Sequence, residues 1–256
     1  MHSRLAGVAL LATTLLLSGC DWRDDGGRDH DPANRPGYVL PGDRDREDRG
    51  RTGDHSVSGA ANGLQEATFS LISSSDVVRI RAVDLGGDLY RVATPDDSRV
   101  APSVHVDNGT VVAGLADTGL KGPALVTVDL SRVVRWHIRL GGGAGEQIVD
   151  LTGGQPGDVD FSAGTTRAEV ALPPAKGTNR VTMSGGAGQF LVHLAGDAPV
   201  QVRVGNGAGT VTVDGATRSG VGGNTVITAP GWSSATDRYD VDASAGVSVL
   251  TVDRRP

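Results

Sequence analysis

Asp158 and Asp160 flank Val159, so on a β-strand their carboxyls project from one face. Such a pair is the basic equipment of glycoside hydrolysis, one group giving a proton and the other acting as base or nucleophile. Asp150 is the next candidate, yet no aromatic sugar platform accompanies the three. His193 aligns one repeat before Asp214, an outward His–Asp contact without a nucleophile or oxyanion donors beside it, and reads as a surface pair. Gly205-Asn206-Gly207-Ala208-Gly209 lacks the lysine and the strand-to-helix transition of a phosphate loop. Gly142-Gly143-Ala144-Gly145 approaches the calcium-binding pattern G-G-x-G-x-D, but the Asp position holds Gln147 here and Phe190 in a second copy. Neither G-x-S-x-G nor H-x-x-x-H occurs. The sequence therefore predicts no catalytic residue, no metal and no cofactor, and hence a protein that is not an enzyme.

The elements that would position these residues announce themselves by repetition. GGAGEQIVDL, residues 142–151, returns 43 residues later as GGAGQFLVHL, residues 185–194. Ile138-Arg139-Leu140, Val159-Asp160-Phe161, Val181-Thr182-Met183 and Val202-Arg203-Val204 begin at intervals of 21, 22 and 21 residues. Each is followed at one offset by a glycine (Gly143, Gly164, Gly186, Gly207) and then by an aligned valine (Val149, Val170, Val192, Val213). Short runs that alternate apolar and polar residues are half-buried strands. The predicted fold is all-β, a single-domain β-solenoid with about 21–22 residues per coil and about eight or nine coils over residues 57–256. A β-sandwich also has short strands, but nothing in it calls for Gly-Gly-Ala-Gly in register. Outward positions Arg139, Asp160, Thr182 and Arg203 would form a polar ladder in which Arg139 faces Asp160. Residues 57–135 are less regular, with Asp107-Asn108-Gly109 as a tight-turn signal.

The first 56 residues have another texture. Arg4 precedes an apolar run from Leu5 to Leu17, too short for a membrane helix of about 20 residues and suited to a cleaved signal segment. Leu17-Ser18-Gly19-Cys20 resembles the lipobox of bacterial lipoproteins. That resemblance implies a signal peptide over 1–19, fatty acylation of Cys20, and a chain anchored to the extracytoplasmic face of the cell membrane by lipid such as palmitate. Cys20 is the only cysteine, so an intramolecular disulfide is impossible. Residues 21–55 hold ten acidic and seven arginine residues, a composition expected to stay disordered. Residues 20–56 thus form a charged tether, with an r.m.s. reach of roughly 30 Å. Its aspartates are interrupted by Arg23 and Arg28 and fit no EF-hand spacing.

Tyr239-Asp240-Val241-Asp242-Ala243-Ser244-Ala245-Gly246, with the Val249–Asp253 strand after it, resembles the closing strands of the bacterial putative-adhesin and toast-rack families. The resemblance spans about residues 60 to 254 and implies a glycine-rich β-solenoid on an envelope lipoprotein or stress-system membrane protein; that family has no agreed catalytic residues. Trp232 lies in a long connection between Asp214 and Tyr239, where it either caps the open end of the stack, the favoured reading, or contacts a partner. Trp136 belongs to the core or its edge. The net charge is −6, and −7 after cleavage before Cys20, which argues against a nucleic-acid partner. The expected partners are the membrane, through the lipid anchor, and an envelope protein or polysaccharide. The function expected is display of a binding or scaffold module. The alternatives are an accessory sensor of envelope stress and a glycan-active enzyme carrying Asp158 and Asp160.

Overall fold

The computed structural model describes residues 54–255. The expected signal segment, Cys20 and nearly all of the expected tether lie outside the described residues. Within them, nineteen strands and no helix form two mixed, open sheets. In chain order the strands are β1 (Ser56–Ala60), β2 (Glu66–Leu71), β3 (Ser75–Val83), β4 (Asp88–Ala93), β5 (Val100–Asp107), β6 (Thr110–Asp117), β7 (Leu125–Ser131), β8 (Arg135–Leu140), β9 (Ala144–Asp150) and β10 (Val159–Phe161). They continue with β11 (Thr165–Leu172), β12 (Thr178–Met183), β13 (Ala187–Leu194), β14 (Val200–Val204), β15 (Ala208–Val213), β16 (Ala216–Val221), β17 (Thr225–Thr228), β18 (Arg238–Ala243) and β19 (Val247–Arg254). The ten-stranded sheet runs β1-β4-β7-β3-β9-β11-β13-β19-β15-β16, and the nine-stranded sheet runs β17-β14-β18-β12-β10-β8-β2-β6-β5.

Seven strands of each sheet are parallel, and they belong together as seven consecutive pairs, one strand per sheet. In space the pairs stack as β6–β7, β2–β3, β8–β9, β10–β11, β12–β13, β18–β19 and β14–β15. The count falls below eight or nine because β1, β4, β5, β16 and β17 pair antiparallel at the ends. Two of these edges follow from turn chemistry. Asn108 and Gly109, at φ 46° and 76°, make the tight hairpin β5–β6, and Asp214 and Gly215, at 47° and 83°, make β15–β16. Both turns have the positive φ pair of a two-residue hairpin. The connection leading to Trp232 is therefore largely strand.

Spatial order departs from chain order twice: β2–β3 stands between β6–β7 and β8–β9, and β18–β19 stands between β12–β13 and β14–β15. Val149, Val170 and Val192 are register neighbours, but Val252 stands between Val192 and Val213. Likewise Val241 stands between Val181 and Val202. Sequence repetition reports that side chains occupy equivalent positions, not which equivalent strand is next door. The five residues Ala195–Pro199 are long enough to step past one strand spacing of about 4.8 Å, leaving the slot that β18–β19 fills.

The interior consists of side-chain rows. In the nine-stranded sheet the row Val111, Phe69, Ile138, Val159, Val181, Val241, Val202 is almost completely buried throughout. Phe161 reaches across to Phe190 of the other sheet in an edge-to-face contact at 5.9 Å. Trp136 is buried too, its indole N–H donating to the Ser131 carbonyl at 3.0 Å. Gln147 is the polar exception in its row; its amide donates to the Gly142 carbonyl at 2.9 Å, which ties the corner to the strand it opens.

Tyr239 explains the first residue of the closing motif. Its ring is buried, and its hydroxyl lies 2.8 Å from both the Pro173 and Ala195 carbonyls, linking the turns after β11 and β13. Burial raises the phenol's pKa, against the opposing charge of Arg254. Tyr239→Phe keeps the ring and strands two carbonyls, so it is expected to cost about 1–2 kcal/mol, read as a lower urea midpoint with an unchanged slope.

Candidate functional site

The outer face of the nine-stranded sheet carries a network of interacting charges that runs across adjacent strands. Taken in spatial order from β8, the outward residues are His137 and Arg139, then Asp158 and Asp160, Arg180 and Thr182, Asp240 and Asp242, and finally Gln201 and Arg203. Alternation places these side chains outward because Ile138, Val159, Val181, Val241 and Val202 between them face the core. A cleft of about 330 Å³ opens on this face, with Thr68, His137, Asp158, Asp160, Arg180 and Ser184 among its walls.

The best-connected acid is Asp240, only 2% exposed. Arg203 Nη2 donates to both its oxygens, at 2.8 and 2.7 Å, and Arg180 Nε approaches at 3.3 Å. Three charges thus join three adjacent strands, which compensates the buried carboxylate. Asp158 accepts from the Arg180 amide at 2.8 Å, and its other oxygen lies 3.6 Å from His137 Nδ1. His137 Nε2 meets Glu66 at 2.6 Å. Arg139 and Asp160 are register neighbours, as the sequence suggested, but make no ion-pair contact among the described residues; Arg139 acts on Asp160 through its field.

Asp160 is the least satisfied member. Burial lifts its carboxyl above the ordinary carboxylate range, against Arg139's charge and the Ser184 hydroxyl, and its Oδ1 has no hydrogen-bond partner. A raised folded pKa means that ionised Asp160 opposes folding above that pKa, an effect that disappears below the unfolded value near 3.9. Asp160→Asn should therefore melt higher than the parent at pH 7, with the gap closing as the pH falls towards 4. Comparing the two proteins cancels other groups, such as Asp76, which the Arg99 side chain and the Ala124 amide hold below the usual range. A gap independent of pH contradicts this assignment.

The other sequence-selected residues lie apart. Asp150 ends β9 in the other sheet, where its carboxylate binds the Thr152 amide and hydroxyl. His193 meets Asp253, at 2.5 Å through Nδ1, instead of Asp214, because β19 intervenes; Glu169 lies 3.3 Å from Nε2. Trp232 is half-buried, its indole N–H donating to the Tyr239 carbonyl at 2.7 Å under an Arg238 guanidinium 4.6 Å from the ring centroid. The edge strands that pair with β15 and β14 are β16 and β17. Sequence reasoning missed His137, Arg180 and Asp240; the signal was present in their outward positions beside core valines, but their neighbours depend on strand order.

The fold is shared with a solved bacterial protein. A crystal structure of a putative cell adhesion protein from Clostridium sporogenes superposes with a TM-score of 0.56 at 16% identity, over 78% of this chain and 98% of that one. A putative adhesin from Bacteroides fragilis is matched at 9% identity over 77% of this chain and 96% of that one, with a TM-score of 0.24, so the fold likeness rests on the first. No protein-family model matches the sequence, and no curated protein does.

Proposed function

We propose that the chain is a lipid-anchored protein of the cell envelope that displays its strand stack, a β-solenoid with inserted final coil, as an adhesin-like binding module. The observation that carries the binding reading is the polar outer face of the nine-stranded sheet, where residues on or beside the adjacent strands β8, β10 and β12 present charges around one cleft. Its fold relative's description as a putative cell adhesion protein supports that reading. The lipobox-like Leu17–Cys20 and the charged tether support the anchor, which would hold the face away from the membrane surface on the extracytoplasmic side. Partners of this surface would be an envelope protein or a polysaccharide, and Trp232 is a further contact candidate beside it. Photo-crosslinking in the native membrane tests the proposal. A reactive side chain at Thr68 should capture a partner and one at Gln189, on the opposite sheet, should not; equal capture from both overturns it. Loss of fatty-acid labelling in Cys20→Ser tests the anchor.

A second reading has one observation in its favour: Asp158 and Asp160 share the cleft, and burial favours the protonated form of Asp160, as in a general acid. Release of reducing ends from cell-wall glycans, abolished in both Asp158→Asn and Asp160→Asn, would establish it.

A further inference from the structure

The outer face of the ten-stranded sheet has another character where β4, β7 and β3 lie side by side. A cavity of about 480 Å³ opens there, with Val77, Ala93, Pro95 and Leu125 among its walls together with Thr127 and Arg79. That volume is within the range of small-molecule sites, about 300–1,000 Å³. Register accounts for the composition. Thr127 stands between Ala93 and Arg79 in one outward row, and Leu125 stands beside Val77 in the next. The buried Val78, Val92, Val126 and Val128 alternate with them, so strand periodicity holds the cavity residues outward.

Arg79 is exposed and forms no ion pair or side-chain hydrogen bond among the described residues. Its row neighbours are neutral, Thr127 on one side and Ile148 on the other. The acids that stand diagonally from it are held elsewhere: Asp129 by Arg81 at 2.6 Å, Glu146 by Arg167 at 3.5 Å, and Asp150 by the Thr152 amide at 3.0 Å. An aliphatic hollow beside one uncommitted guanidinium suits a ligand with an apolar body and a single anionic end. The backbone narrows the choice further. Each of β3, β4 and β7 lies between two other strands, so its N–H and C=O groups are engaged in ladders, and the Thr94 amide and hydroxyl both bond with His55. A peptide or a sugar laid on this floor would leave its own polar groups unpaired, whereas an alkyl chain has none to satisfy. Asp96 borders the adjoining hollow with Asp54 and His55. It follows β4, two strand spacings or about 10 Å from β3, and so directs an anionic end away from itself, to Arg79.

We infer that this cavity binds an alkyl carboxylate of the fatty-acid class, its chain lying over Leu125, Val77, Ala93 and Pro95 and its carboxylate on the Arg79 guanidinium. One guanidinium matches a monoanion; a phosphate monoester, at about −1.5 to −2, would call for further cations. The site lies on the sheet opposite the charged cleft and is independent of what that cleft binds.

Photolabelling of the full chain in the membranes of the expressing cells tests the inference. The probe is dodecanoate with a diazirine at the end of its chain, and dodecanol of the same design is the uncharged control. The acid is expected to label residues 93–95 and 125–127 at least fivefold more than the alcohol does, and unlabelled dodecanoate should compete. Arg79→Gln removes the cation from a side chain with no partner to lose, so the melting temperature should move by about 2 °C or less, while labelling by the acid falls to that by the alcohol. Leu125→Glu offers Arg79 a carboxylate from within and should lower labelling by the acid at least fivefold. Arg218→Gln, at an exposed arginine of the edge strand β16 in the same sheet, should leave it as in the parent. Equal labelling by acid and alcohol, label that misses both stretches, or parental labelling in a folded Arg79→Gln overturns the inference.

Discussion

Deletion of residues 238–256 is expected to detach β14 to β17 from the rest of the fold, so that their amides exchange freely while those of β8 to β11 stay protected. β14 pairs only with β18 and β17, and β15 only with β19 and β16. The deleted strands also carry Tyr239, Val241, Leu250 and Val252, all fully buried. Burial of each such side chain contributes about 1.5–3 kcal/mol, so the loss approaches the whole stability of an ordinary domain, about 5–15 kcal/mol. Direct re-pairing of β14 with β12 would match their valines but place Arg180, Thr182, Gln201 and Arg203 side by side without a carboxylate. Retained protection of β14 and β15 in the shortened chain would show that such re-pairing happens and that the inserted strands are dispensable.

Gly185→Ala is expected to be among the most damaging point substitutions. A Cβ at Gly185 would lie 2.1 Å from the Ala163 carbonyl carbon and 2.3 Å from its oxygen. Those are backbone atoms of the preceding corner, so no rotamer relieves the contact and the two corners must separate. Overpacking commonly costs about 1–3 kcal/mol, occasionally more, and this site belongs at about 3. For a domain of this size that lowers the melting temperature by roughly 6–12 °C. Gly222→Ala, with nothing near its added Cβ, should change it by about 2 °C or less. Gly142, the matching position of the first phrase, has the same character: its Cβ would lie 1.9 Å from the Ser73 carbonyl oxygen. The repeated Gly-Gly-Ala-Gly thus records where one corner's backbone rests on another's.

Periodicity made much of this fold legible. Val149, Val170 and Val192 lie in one buried row because residues at equivalent repeat positions face the same way, and Asn108-Gly109 closes a hairpin for the reason its types suggest. What could not be read was adjacency. A parallel backbone ladder accepts any strand with the right inward face, so the repeat leaves open whether Val213 follows Val192 directly. Asp214-Gly215 held an equally clear turn signal, hidden by the glycine-rich run after it; that signal turns the supposed connection into β16. The candidate site was legible to the same degree. Asp158 and Asp160 were visible as a same-face pair, whereas Asp240 becomes their neighbour's counter-charge only once β18 has entered beside β12.

Placement of β18 between β12 and β14 is what turns a list of outward residues into an alternating face, and disulfide trapping measures it directly. In a chain carrying Cys20→Ser, cysteines replacing Thr182 and Asp242 occupy register-paired positions, within the Cα separation of about 4.4–6.8 Å that a disulfide spans. That pair should close under mild oxidation of the folded protein, while Thr182→Cys with Arg203→Cys, two strands apart, should stay reduced. Closure of the 182–203 pair with the 182–242 pair open would contradict the strand order and, with it, the charged face.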